Sequence, residues 1–121
     1  MDLHKSNILY IELLKKSLLT ENQLAIIYKK VQGEKFDFAI SAGAYYRQIG
    51  QCKSKIKRTL YTILLLCLIS SLEEKTFLTM EKLASQLSVI STEVNHRDLD
   101  IEGMISVIRT IDDILSKLIK M

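Results

Sequence analysis

From Ala42 to Leu72 the chain runs without proline, and one apolar stripe follows a helical repeat through most of that length. Tyr45, Ile49, Cys52, Ile56, Leu60, Ile63 and Cys67 recur at intervals of 4, 3, 4, 4, 3 and 4. That spacing keeps them on a single helix face. Gly50 is the weak spot of the run, and Ser41 is placed to cap it. Arg47, Gln51, Ser54 and Arg58 fall together opposite the stripe, with Lys53, Lys55 and Lys57 flanking them. Between Tyr45 and Tyr61 there are five Lys/Arg and no Asp/Glu. From Thr59 to Leu72 the chain carries no charge over fourteen residues. A membrane span needs roughly 20 apolar residues, so this stretch is expected to be the buried second half of a central helix. The first half is expected to be basic and half-exposed.

The whole chain has 121 residues, which is one domain's worth, residues 1–121. No proline and 48% hydrophobic residues point to helices joined by short connections. The net charge of +3 conceals an asymmetry. Residues 1–71 hold eleven Lys/Arg against five Asp/Glu, and residues 72–121 hold six against nine. A basic half beside an acidic half hints at a polyanion partner. Polar opening residues, Met1 to Asn7, predict no secretory leader. Cys52 and Cys67 on one helix would lie about 22 Å apart, beyond disulfide reach. Both are expected to be reduced, in a cytoplasmic setting.

Around the central helix the pattern predicts four others. Ser6 to Leu19 presents Ile8, Ile11, Leu14 and Leu18 at helical spacing. Thr20-Glu-Asn-Gln23 is a capping-box pattern that opens a second helix, with Leu24, Ile27 and Val31 as its apolar side. Gly33 is the expected stop. Glu34 to Ile40 alternates and reads as a short strand or an ordered loop. A fourth helix, capped by Thr76 or Thr79, carries Met80, Leu83, Leu87, Ile90 and Val94; Asn95 to Asp98 is a polar break. The fifth carries Ile101, Met104, Ile108, Ile111, Leu115 and Leu118 at 3, 4, 3, 4, 3, widened by Ile105 and Ile119. That is a heptad seam. It serves either an antiparallel hairpin within the chain or a partner interface in a homodimer. The expected fold is all-α: a five-helix bundle around a long central helix, with a C-terminal helical hairpin.

Reaction chemistry finds little footing. His4 and His96 stand alone, and no metal-ligand spacing or glycine-rich phosphate loop occurs. Glu73-Glu74 and Asp112-Asp113 are adjacent pairs, which diverge by about 100° on a helix and do not share a site. No catalytic residue, metal or cofactor is therefore assigned. The basic face offers more. Arg47, Arg58 and Gln51 can pair with base edges, Ser54 lies among them, and Lys53, Lys55 and Lys57 can neutralise phosphates. Tyr46 can stack or touch phosphate.

Residues Ile40-Ser-Ala-Gly-Ala-Tyr-Tyr-Arg-Gln-Ile49 resemble the turn and recognition-helix start of helix-turn-helix regulators. Ser41, Ala44 and Arg47 occupy the cap, small-residue and arginine places of that pattern. The resemblance covers about residues 40–58, and Gly33 to Phe38 stands where a tight turn is usual. It implies that Arg47, Gln51 and Arg58 inherit DNA contact. In size and charge balance the chain is also similar to small helical subunits of nucleoprotein machines, such as GINS-type replication proteins and CRISPR effector complexes. The expected function is non-enzymatic nucleic-acid binding by a helix-turn-helix-like regulator, possible as a dimer, with no membrane partner. A scaffold subunit of a nucleoprotein complex, or a protein–protein interaction module, is the alternative.

Overall fold

The computed structural model describes residues 8–33, 41–96 and 101–121. Among them lie five helices and no strand: α1 (Ile8–Lys15), α2 (Glu21–Val31), α3 (Ala42–Leu68), α4 (Glu74–His96) and α5 (Ile101–Leu118). The alternating segment 34–40 lies outside the described residues.

Local chemistry sets most boundaries. Thr20 caps α2 by a reciprocal pair: its Oγ1 accepts from the Gln23 N–H at 3.2 Å, and Gln23 Oε1 accepts from the Thr20 N–H at 3.0 Å. Gly33 follows the last turn of α2 with φ of +71°, the left-handed region that glycine enters freely. Ser41 caps α3, its Oγ accepting from the Ala44 N–H at 3.1 Å. That helix ends at Leu68 rather than Leu72, and Ser70 follows with φ of +62°. The opening of α4 differs from expectation. It starts at Glu74, and the buried Thr76 sits inside the first turn, its hydroxyl accepting from the Glu73 N–H at 3.3 Å. At the far end α4 continues through Asn95 and His96, because polar residues without glycine or proline do not break a helix.

Packing divides into two small cores. In one, Ile26 and Ile27 of α2 meet Tyr45, Ile49 and Cys52 of α3. In the other, Leu9 and Leu13 of α1 lie against Met104, Ile108 and Ile111 of α5, joined by Leu87 and Ile90 of α4 and by Val107 and Leu115. Three residues assigned to a partner interface, Met104, Ile108 and Ile111, are thus buried within the chain. Leu118 is half-buried, while Ile105 and Ile119 are exposed and do not widen the seam. The Ile101 side chain lies outside the described residues. The end of α5 returns to the start of α4: the Lys120 N–H donates to the Ser71 carbonyl at 3.4 Å, and the Lys120 ammonium pairs with Glu73. So α4 and α5 form an antiparallel hairpin.

Several apolar faces differ from the sequence expectation. In α1 it is Leu9 and Leu13 that enter the core, while Ile8 and Leu18 are exposed. Six of the eight α1 residues are apolar, so periodicity alone does not select its inner face. Val31 is exposed and Ile26 is the buried residue of α2. The largest difference is in α3. Only Ile49 and Cys52 are buried along it. Its second half is open: Leu60, Tyr61, Leu64, Leu65 and Leu68 are all exposed. A helix that is apolar all round is buried only if other elements surround it. Here α2 covers the N-terminal part of α3, and the hairpin core is built by α1, α4 and α5.

Candidate nucleic-acid interface

The expected site lies on the part of α3 that α2 holds in place. Residues 47 to 58 lie within one unbroken helix and span about 16 Å of its axis. Because α2 packs on the Tyr45, Ile49 and Cys52 side, the opposite side faces solvent. Arg47, Gln51, Ser54 and Arg58 are exposed there, and Lys53 and Lys57 are exposed on a flank of it. Tyr46 is exposed too, its ring centroid 5.5 Å from that of Tyr45 at a 54° tilt. Tyr45 itself packs into the α2–α3 core.

Lys55 is the exception. It is half-buried, and its ammonium donates to Gln23 Oε1 at 3.1 Å. The same oxygen closes the capping box of α2. Gln23 therefore ties the two helices together, and its backbone carbonyl also receives the Cys52 thiol at 3.9 Å. Burial raises the pKa of Cys52 above its ordinary 9.0, with the Lys55 charge opposing in part. Cys52 is thus a packed neutral thiol, and Cys67 is also free.

Among the described residues, the ion pairs join Lys15 to Glu12 and both Lys75 and Lys120 to Glu73. None involves Arg47, Lys53, Lys57 or Arg58. Four unneutralised cations on one helix segment create a local positive field suited to a polyanion. Thr59 and Thr62 turn their hydroxyls back to the carbonyls of Lys55 and Arg58, both at 2.9 Å, and so prolong the helix rather than the polar face.

The segment that resembles the recognition-helix start of helix-turn-helix regulators, about residues 40–58, forms the cap and first half of α3, and α2 packs beside it. Residues 32–41 separate them, well beyond the 3–4-residue turn usual for that motif. Elsewhere, a groove between α1 and α5 has an apolar floor of Ile8, Met104 and Ile108. Its rim balances Lys16 and Arg109 against Glu12 and Asp112, so it favours neither sign of charge. No cluster of three His, Cys, Asp or Glu suited to a metal occurs among the described residues. No helix there is long and apolar enough to cross a membrane. Compared with protein families, curated proteins and solved structures, the chain matches none.

Proposed function

We propose that this chain is a non-enzymatic nucleic-acid-binding protein, acting as a helix-turn-helix-like DNA regulator through the exposed basic side of α3. The observation that carries this is the set Arg47, Lys53, Lys57 and Arg58: exposed, free of ion pairs among the described residues, and on a stretch without acids. Phosphate neutralisation needs such cations, and Gln51 and Ser54 between them supply hydrogen bonds to base edges or backbone.

Four phosphate contacts would make log K fall against log salt with a slope of about −3.6. Fluorescence titration of duplex DNA at several salt levels measures it. The double change Arg47→Ala and Arg58→Ala should reduce the slope to about −1.8 and leave the helical spectrum intact. Unchanged affinity in that variant would remove this face from consideration.

A scaffold subunit of a replication or CRISPR-type nucleoprotein complex is the second reading. The open apolar residues of α3 favour it, because exposed patches of that kind mark protein contacts. Such a subunit would bind DNA weakly by itself and gain stability with its neighbours.

A further inference from the structure

Among the described residues, the apolar half of α3 has no cover. Leu60, Tyr61, Leu64, Leu65, Leu68 and Ile69 each leave between 55% and 74% of their surface open. At that exposure six large side chains present about 700 Å², near the ~800 Å² that each partner gives to a standard interface. The molecule as a whole shows the same excess: 9187 Å² is accessible, against about 6,700 Å² for a compact monomer of this mass.

We propose that a second copy of this chain covers this face, α3 crossing its counterpart antiparallel about Leu64. Three features favour a copy over another occupant. The patch is close to the size that a stable dimer buries. It holds no charge from Thr59 to Leu72, so opposing it to itself brings no like charges together. The last turn of α3 also has no basic residue to offset its carbonyl end. In the antiparallel crossing, Lys57 of one copy lies beside that end of the other and supplies the missing cation.

The crossing also organises the basic faces, a consequence that rests on the nucleic-acid reading above. On the helix wheel, Arg47, Ser54 and Arg58 lie about 30–70° from the centre of the apolar patch, all to one side of it. A two-fold axis perpendicular to both helices then turns the two basic faces to the same side. From Leu64 to the middle of the basic segment is about 17 Å along α3, so the two segments lie about 34 Å apart. One turn of B-DNA, the usual half-site spacing of helix-turn-helix dimers, is ~34–36 Å.

Sedimentation equilibrium of the intact protein from low to high micromolar concentration tests the interface. The expected result is a dimer of about 28 kDa, twice 13.9 kDa. Leu64→Glu with Leu68→Glu should shift the dissociation constant at least 100-fold upward. Because both residues are exposed in the single chain, the helical spectrum should not change. A wild-type mass of one chain throughout the range overturns the proposal. So does a dimer indifferent to the double change, or a monomer that floats with anionic phosphatidylserine vesicles. The readouts separate the two ideas. A dimer sensitive to the double change that binds no DNA upholds the interface and removes only the nucleic-acid function. A DNA-binding chain that stays monomeric does the reverse.

Discussion

Lys53 and Lys55 stand two residues apart on the same basic helix, yet the structure gives them different work. Lys53 is exposed, and Lys55 is held on Gln23 at 3.1 Å. Exchanging each for glutamine should separate binding from stability. In Lys53→Gln one phosphate contact is lost. The slope of log K against log salt should become shallower by about 0.9, with binding about five-fold weaker at ~0.15 M salt. Its thermal stability should stay within about 0.5 kcal/mol, as for most surface changes. In Lys55→Gln the salt slope should be unchanged. The lost hydrogen bond is charge-assisted but partly exposed, so its removal should cost about 0.5–1 kcal/mol. That lowers the melting temperature by about 2–4 °C in a domain of this size. DNA titration at four or more salt concentrations, beside thermal unfolding followed by circular dichroism, reads both effects. An equal loss of slope in the two variants would refute the reasoning, since it would mean that Lys55 leaves Gln23 to reach a phosphate.

Other substitutions probe the packing. Ile26→Ala opens the α2–α3 core at its most buried residue and should cost about 2–4 kcal/mol, seen as a lower urea midpoint. A Cβ at Gly50 meets nothing within 4 Å, so Gly50→Ala should stabilise α3 by about 0.5–1 kcal/mol and raise the melting temperature. The Cys52 thiol should react with iodoacetamide more slowly than Cys67, with a rate that climbs at higher pH, because burial raises its pKa. A folded pKa above the unfolded one means that the neutral thiol's contribution is whole below pH ~9 and is lost as pH rises through the folded value. The midpoint of chemical unfolding should therefore fall above pH ~9 in wild type more than in Cys52→Ala.

What the sequence made legible is what neighbours in the chain decide. Thr20 with Gln23, Ser41 and Gly33 mark helix ends through bonds spanning three residues or fewer, and each acts as read. The alternation of 3 and 4 along Met104, Ile108 and Ile111 finds its core. What it left hidden depends on distant elements. Nothing in the residues around Lys55 tells it from Lys53 or Lys57; the placing of Gln23, 32 residues earlier, does. Likewise the run from Leu60 to Leu68 reads as core, because composition reports a tendency to be covered and not whether the chain supplies the cover. In α1, with apolar residues on every side, the choice of Leu9 over Ile8 is made by α5.

The division into two small cores has a consequence for how the molecule comes apart. The α2–α3 core and the core of α1, α4 and α5 share no buried residue, and Lys120 ties the end of α5 to the Ser71–Glu73 turn by a backbone bond and an exposed ion pair. Free energies of local opening follow such divisions, so amide exchange should resolve two populations with separate lifetimes. The basic face rides on the first population. Its lifetime is therefore set by the α2–α3 core, which has fewer buried and packed apolar residues than the hairpin core. In a paired molecule a companion helix would reinforce α3 and lengthen the lifetime of that first population alone.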